Sequence, residues 1–494
     1  MFYKQKNRKT NSSNSFTWVQ WGQLFIVASG VFLSALDISV NVALPKISEF
    51  FTTSPKITYL MIIFYLGTTV ALQLPMGSAG DTFGLKKVFI LGLIVYTIAM
   101  ISIGLSPTIN TVLGFRILQA FGNSAILSIA PALATSLFPS DFRGRALGIM
   151  AGIGSIGMIV GTLFAGIVLE NLSWQWIFLG RIPICGLCIV GSITIIRKFN
   201  PSDTQESKIP ANFDWIGGIL IFTGIITTIL FLNLGANFKW FEIQTLGILI
   251  ISILSVTLFI KRQVVIPNPL LDFRIINNPV VYGGFLANLF LYMGSFVNLF
   301  ILPYFVGEII GASSFILGFF LLLNALSISL FSPIGGGLSD KYGPGIISVV
   351  GLIIVSSTLV SYSLLSAESS LISIGLRMIV VGMGIGLFQS SNLSLIMGKM
   401  SMESLGTGGA ISSISRSLGS VTAVTILGGI FISLYESNSP NIDLLYASSS
   451  PNSIESFMYA FKTSYILGGI IVALGIISSL VAWFTIKTPV KKSN

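Results

Sequence analysis

Histidine is absent from the chain, so no imidazole can relay protons or hold zinc in the usual way. Charge is scarce as well. Only 9% of the 494 residues are Asp, Glu, Lys or Arg, against roughly 25% in soluble domains, which excludes a soluble globule. Two cysteines occur, Cys185 and Cys188. They spell C-x-x-C, but they lie inside an apolar run without βαβ context and read as structural thiols rather than a redox pair. No G-x-x-x-x-G-K-[ST] loop is present, so the chain carries no recognisable ATP motor. Metal-ligand clusters, nucleophile constellations and appended domains are also missing, and a membrane-embedded enzyme or sensor finds no support. The weak ten-residue alternations of a transmembrane barrel are not seen.

Apolar residues take the place of all this, at 53% of the chain. They recur in runs of about 20, the length at which a helix crosses a hydrocarbon core of roughly 30 Å. The runs predict six spans at 21–44, 57–77, 88–105, 111–137, 144–169 and 176–196. Two more follow at 215–232 and 243–260, then six at 280–305, 313–338, 346–365, 370–396, 406–434 and 463–486. The basic start (Lys4, Lys6, Arg8, Lys9) imitates a signal peptide. The run from Trp21 to Leu44 is too long for one and carries Asp37, so it reads as a retained first helix.

The fold class is therefore an all-α polytopic membrane protein. Of the 27 Lys and Arg, nineteen fall in one set of alternate loops and four in the other. The positive-inside rule then places both termini in the cytoplasm, and makes the polar stretch from Glu436 to Glu455 an external loop. The net charge of +10 sits between hydrophobic runs rather than in a stripe, so it signals topology and not a nucleic-acid partner. The remaining four cations, Arg116, Arg181, Arg377 and Arg416, fall in or at the edge of spans, where charge is costly.

An internal repeat organises the spans. P-M-G-S-A-G-D-T-F-G-L-K-K from Pro75 to Lys87 answers P-I-G-G-G-L-S-D-K-Y-G from Pro333 to Gly343. The separations 340 − 81 = 259, 377 − 116 = 261 and 406 − 148 = 258 link Asp81 with Asp340, Arg116 with Arg377 and Gly148 with Gly406. Both Gly-Asp-Gly loops fall on the cytoplasmic side, so the repeat is parallel. Parallel halves related by an axis along the membrane normal bind substrate near the midplane between them. The expected organisation is a tail at 1–20, a six-helix half at 21–200, an inserted helix pair at 201–262, a second six-helix half at 263–486 and a tail at 487–494.

Several motifs resemble the fourteen-helix drug:proton antiporter family of the major facilitator superfamily. They are L-D-I-S-V-N-V-A-L-P at Leu36 to Pro45, the loop residues Gly77, Asp81, Gly84, Lys86 and Lys87, and R-I-L-Q-A-F-G at Arg116 to Gly122. G-T-L-F-A-G at Gly161 to Gly166 resembles the antiporter motif of the fifth helix, with Thr162 and Ala165 where proline and glycine are usual. W-Q-W-I-F-L-G-R-I-P-I, F-D-W-I-G and P-L-L, at Trp174, Phe213 and Pro269, add further landmarks. Arg181 stands where this pattern usually has asparagine, adding positive charge at the expected outer mouth.

The resemblance implies a major facilitator fold of fourteen helices that exports small amphipathic molecules or drugs by alternating access. It implies a proton gradient as the driver and no cofactor. A small-molecule substrate, protons and the lipid bilayer are the expected partners, with a monomer in the inner membrane of the cell. Thr162 and Ala165 depart from the exporter motif, so a same-fold importer or facilitator remains the alternative.

Asp37 is the one acid expected deep in the spans. Burial favours its neutral form and a nearby cation its anion, so it can toggle a proton. Arg116 is its expected partner and the second proton-coupling candidate. Asn41, one turn beyond Asp37, shares its helix face. Asn41, Gln119, Asn324, Arg377 and Arg416 are the substrate-cavity candidates, with Arg377 and Arg416 either lining the cavity or packing on carbonyls. Gly77, Asp81, Gly84, Lys86, Lys87, Asp340, Lys341 and Gly343 form the expected gating loops, and Gly157, Gly161 and Gly166 the antiporter motif. G-I-G-S-I-G at Gly152 to Gly157 follows no strand and is not a dinucleotide site. With Gly148, Gly161 and Ala165 it reads as a close-packing surface. Cation exporters gain from extra buried acids, which are scarce here. A neutral, zwitterionic or anionic cargo is therefore expected at least as much as a dication.

Overall fold

The computed structural model describes residues 18–53, 55–139, 142–196, 213–235, 242–312, 314–401, 404–438 and 450–487. The tails at 1–17 and 488–494, the start of the expected insert at 197–212 and the polar stretch at 439–449 lie outside them.

Each predicted span falls on helix. α1 runs through Trp18–Ala35, a 3₁₀ turn at Leu36–Ile38 and Ser39–Phe50. α2 is Pro55–Phe83, α3 Leu85–Gly104, α4 Ile109–Ser136 and α5 Arg143–Asn171, and α6 joins Trp176–Leu179 to Ile182–Thr194. α7 is Trp215–Gly235 and α8 Ile243–Val265. α9 is Pro279–Ser295 continued by short turns to a π segment at Phe305–Ile309. α10 is Ser314–Tyr342, α11 Pro344–Tyr362 and α12 Leu371–Met397. α13 runs through Leu405–Ala423, a π segment at Val424–Gly428 and Gly429–Asn438, and α14 is Pro451–Lys487.

Among the described residues, eleven helices are long and apolar enough to cross a membrane. The three short of that measure have visible causes. α9 is interrupted between Ser295 and Ile309. α13 opens on L-G-T-G-G-A-I-S-S-I-S-R, poor in large apolar side chains, and carries its own π turn. α7 offers only Trp215–Phe231 as an apolar stretch. Large apolar side chains point outward along the bundle, among them Leu91, Ile167, Leu187, Ile250 and Val481, as a surface facing hydrocarbon requires.

α14 corrects one expectation. It begins at Pro451 rather than 463, so Glu455 and Lys462 sit on helix and not in an external loop. Ser450 and Ser453 exchange backbone-to-hydroxyl bonds of 3.1 and 3.2 Å, and Pro451 fills the first turn, where its missing N–H costs nothing. These polar first turns hid the start from a hydropathy reading.

Among the described residues, three helix junctions place glycine at positive φ, one of them Gly311 before α10 at +70°. Gly84 between α2 and α3 has φ +100°, and Gly343 between α10 and α11 has φ +94°, a conformation that L side chains rarely adopt. They occupy equivalent places in the repeat. One core is built mainly by α1–α6 and extends to residues of α9, α12 and α13, and α9–α14 build another, while α7 lies against α8 and rests Ile226 and Ile229 on Gly67 of α2. Asp214 pins this pair. It accepts from the Gly217 amide (2.9 Å), Arg262 Nε (2.8 Å) and Gln263 Nε2 (2.8 Å), so one carboxylate caps α7 and holds the end of α8.

Candidate functional site

Asp37 lies in the 3₁₀ turn that breaks α1, with its side chain buried. The break has a local cause. Arg181 Nη2 donates to the Leu36 carbonyl (2.9 Å), and the Tyr96 hydroxyl shares its one proton between the Leu33 carbonyl (3.1 Å) and Asp37, taking up acceptors along this stretch of helix. Short 3₁₀ segments inside a helix often mark functional hinges.

Four donors converge on the Asp37 carboxylate. Arg181 Nη1 forms a direct ion pair with Oδ1, Tyr65 donates to Oδ2, and Tyr96 and Gln119 Nε2 each donate to Oδ1 at 3.0 Å. Arg181 also donates to Ser39 Oγ. The expected pairing with Arg116 is therefore corrected. Arg116 reaches Asp37 only through intermediaries, donating to Gln119 Oε1 at 2.5 Å and stacking its guanidinium 4.2 Å over the Tyr65 ring. Arg181, expected at the outer mouth, is instead 1% exposed. It stands at the N-cap of the second part of α6 and turns inward onto Asp37, Ser39 and the Leu36 carbonyl. The cluster holds two guanidiniums and one carboxylate, so it is cationic. Tyr65, Tyr96, Ser39 and Arg181 were missed as members; for Arg181, a charge at a span edge was the available signal.

Gly157 and Gly161 of α5 make room for this turn. A β-carbon on Gly157 would meet the Phe32 carbonyl at 2.7 Å, and one on Gly161 the Leu36 carbonyl at 2.9 Å. Gly166 has nothing within 4 Å and lies beyond the packed stretch. Earlier in the same helix, Gly148 and Gly152 press against Pro333 and Ser329 of α10, with Ser329 Oγ donating to the Gly152 carbonyl at 3.0 Å. One helix thus touches both the opposite half and the Asp37 turn.

The two Gly-Asp-Gly loops join the halves reciprocally. Asp81, at the end of α2, accepts from the Gly406 and Thr407 amides (2.7 and 2.8 Å) and from Thr407 Oγ1 (2.7 Å), capping α13. Asp340, at the end of α10, accepts from the Gly144 and Arg145 amides (2.9 and 3.1 Å), capping α5, with Arg145 Nε 4.0 Å away. Helix N-termini carry partial positive charge, so each carboxylate is well placed. Gly77 belongs to the same contact, because a β-carbon there would meet the Gly406 carbonyl at 2.6 Å. The structural equivalent of Gly406 is Gly144 and not Gly148. Lys86 donates to the Ile193 and Ile196 carbonyls (2.9 and 2.5 Å) at the end of α6, Lys87 is exposed, and Lys341 lies 5.0 Å over its neighbour Tyr342.

Between the halves, above the latches, lies a cleft of about 510 Å³, counting space open to solvent. Val31, Leu127, Pro131, Met150 and Ala151 line it from the first half, and Asn288, Tyr292, Gln389, Leu393, Ser412, Ser413 and Arg416 from the second. Pro131 leaves the Leu127 carbonyl without its helical donor, and Ser413 Oγ reaches it from the opposite half at 3.4 Å. Of the expected cavity residues whose side chains are described, only Arg416 lines this cleft. Gln119 belongs to the Asp37 cluster, and Asn324 donates to the Met378 carbonyl inside the second half (2.9 Å). Arg377 sits in an outward groove, bonded to Ser361 and Ser373. Asn41 is on α1, and its side chain lies outside the described set.

A family model for the Major Facilitator Superfamily matches residues 27–424. The riboflavin transporter RibZ of Clostridioides difficile (strain 630) is 28% identical over 95% of this chain and 98% of its own. Multidrug resistance protein 3 of Bacillus subtilis (strain 168) is 25% identical over 81% of this chain and 77% of its own. The tetracenomycin C resistance and export protein of Streptomyces glaucescens is 23% identical over 84% and 76%. Among solved structures, the human organic anion transporter MFSD10 (TETRAN) aligns with a TM-score of 0.62 at 11% identity, covering 92% of this chain and 99% of that one.

Proposed function

Since the chain belongs to the Major Facilitator Superfamily, a family of membrane transporters and not of enzymes, we propose that it exports a small amphipathic molecule in exchange for protons. The observation that carries this reading is Asp37. Among the described residues it is the one carboxylate buried in mid-bundle; the others stand at helix ends or in connecting turns. Charge at such depth is costly and marks ion or proton pathways.

The chain crosses the membrane fourteen times in this reading, as six, two and six helices, with α7 and α8 as the insert between residues 201 and 262. Both termini lie in the cytoplasm of a cell inner membrane, and the transporter acts as a monomer without a cofactor. The latched end is then cytoplasmic, and the state described is closed toward the cytoplasm. A proton arriving from outside neutralises Asp37 and frees Arg181. The α1 turn then relaxes against Gly157 and Gly161, and α5 carries the change to the Gly148–Gly152 contact with α10. One charge crossing about 100 mV releases roughly 2.3 kcal/mol, enough for about a fifty-fold gradient.

Inside-out vesicles energised by respiration test the reading. Uphill accumulation of cargo that collapses with an uncoupler is expected. Accumulation that ignores the uncoupler overturns it. Thr162 and Ala165 in the α5 motif, and a relative named as a riboflavin transporter, favour a second reading as a same-fold importer or facilitator. Inward transport, or flux that only follows the concentration gradient, would establish it.

A further inference from the structure

The four arginines of the spans differ in what they touch. Arg181 is spent on Asp37, Ser39 and the Leu36 carbonyl. Arg116 is spent on Gln119, the Met61 carbonyl and the Tyr65 ring. Arg377 is spent on the hydroxyls and carbonyls of Ser361 and Ser373. Arg416 is different. Among the described residues its guanidinium has no hydrogen bond and no ion pair, only the face of Tyr292 at 5.9 Å. It is half-buried, and it is the one charged side chain lining the cleft between the halves.

The walls of that cleft are unlike. Beside Arg416, the second half presents the Gln389 amide and the Tyr292 hydroxyl, which also have no hydrogen-bond partner among the described residues. The Asn288 amide is fixed alongside by bonds to Ser412 and Ser415 (2.9 and 2.7 Å). The first half presents Val31, Leu127, Pro131, Met150 and Ala151. A half-desolvated guanidinium with free donors calls for an oxyanion, and carboxylates match its fork. No carboxylate of the described chain lines the cleft to supply one.

We propose that the cleft is an anion-selective amphipath site. The carboxylate or other oxyanion of the cargo docks on Arg416 with Gln389 and Tyr292, and its apolar body lies on the Met150 and Pro131 wall of the opposite half. The proposal rests on the transporter reading for its location between halves. It adds the charge of the cargo and the residue that selects it. Because the head binds one half and the body the other, such a cargo bridges the two rocking units, and a cation of the same shape meets an uncompensated positive charge.

Three dansyl probes with one fluorophore and three head charges test it: dansylglycine, its amide, and a dansyl-ethylammonium. Energy transfer from protein tryptophan reports binding to the full chain in lipid nanodiscs. Wild type is expected to bind dansylglycine about ten-fold or more tighter than the amide, as a charge-assisted bond replaces a neutral one, and the ammonium weakest. Arg416→Gln should erase the preference, Arg416→Lys should keep part of it, and Arg377→Gln should leave it intact. No saturable binding of dansylglycine by wild type, a preference for the ammonium, or a preference unchanged in Arg416→Gln overturns the proposal. Proton-driven uptake of the same probes into proteoliposomes separates the two claims. Selective binding with no coupled uptake leaves the site standing and defeats the exporter reading. Coupled uptake that is indifferent to head charge and to Arg416 does the reverse.

Discussion

Asp37 and Arg181 form a buried ion pair whose members do not contribute alike. Removing one partner of such a pair strands the other, at a cost of about 3–5 kcal/mol. Arg181→Gln is therefore expected to lower the unfolding midpoint in detergent well below that of Arg116→Gln, because Arg116 meets Asp37 only through Gln119 and Tyr65. Equal midpoints would show that the direct Arg181 pair holds Asp37 no more firmly than the indirect Arg116 link. Asp214 makes a second prediction outside the spans. Burial pushes its carboxyl up, but bonds from Gly217, Arg262 and Gln263 and the charge of Arg262 outweigh this and hold it below the usual range. A group lowered in the folded state stabilises above its unfolded value, near pH 4 for aspartate, and loses that contribution as pH falls through the folded value. Acid titration should loosen the α7–α8 pair over that window, measured as protease sensitivity at its ends, and Asp214→Asn should flatten the dependence. Asp37 and Arg116 were legible in the sequence because charge inside an apolar run is conspicuous. The Arg181 contact was not, since a residue at a helix start can turn in or out, and only its partners in the fold, Asp37, Ser39 and the Leu36 carbonyl, decide.

α5 and α13 carry the helix N-termini that the two aspartates cap, and α2 and α10 bring those aspartates across the seam. A carboxylate at a helix N-terminus contributes about 0.3–1 kcal/mol when exposed and up to about 2 when partly buried. Asp81→Asn or Asp340→Asn should each shift the population away from the latched state by about five-fold or more, read by labelling of cysteines introduced at that end. The double variant should open it further, since the contacts are separate. Gly144→Ala and Gly406→Ala should act in the same direction, because their added methyls would press on Asp340 and Asp81. Unchanged labelling in all five variants would remove the latch. The duplication was readable from the 259-residue spacing of Asp81 and Asp340, which Gly84 and Gly343 repeat. The receiving positions were misaligned. Gly148 was matched to Gly406, whereas the capped amides belong to Gly144 and Gly406, 406 − 144 = 262 apart. Offsets drift by a few residues between loops and helices, and only the contact fixes the register.

Across the whole molecule, duplication leaves two similar frames with different interiors. The first half buries a carboxylate, two guanidiniums and two tyrosines around the α1 turn. At the corresponding turn of α9 the second half has Asn298, whose Oδ1 accepts from Tyr465 of α14 at 2.9 Å. That pair joins the first and last helices of its half, as Asp37 and Arg181 do, with no formal charge. On the proposed mechanism, one carboxylate in one half couples protons to transport. Substrate-linked proton flux tests this coupling most directly, read by a pH dye inside proteoliposomes whose lumen is loaded in turn with riboflavin, dansylglycine and ethidium and which are then placed under an inward-directed proton gradient, so that cargo leaves as protons enter. Wild type is expected to acidify the lumen in step with transport of at least one of these compounds, and Asp37→Asn to bind that compound while moving neither it uphill nor protons with it. Proton flux and uphill transport that survive in Asp37→Asn would contradict the account.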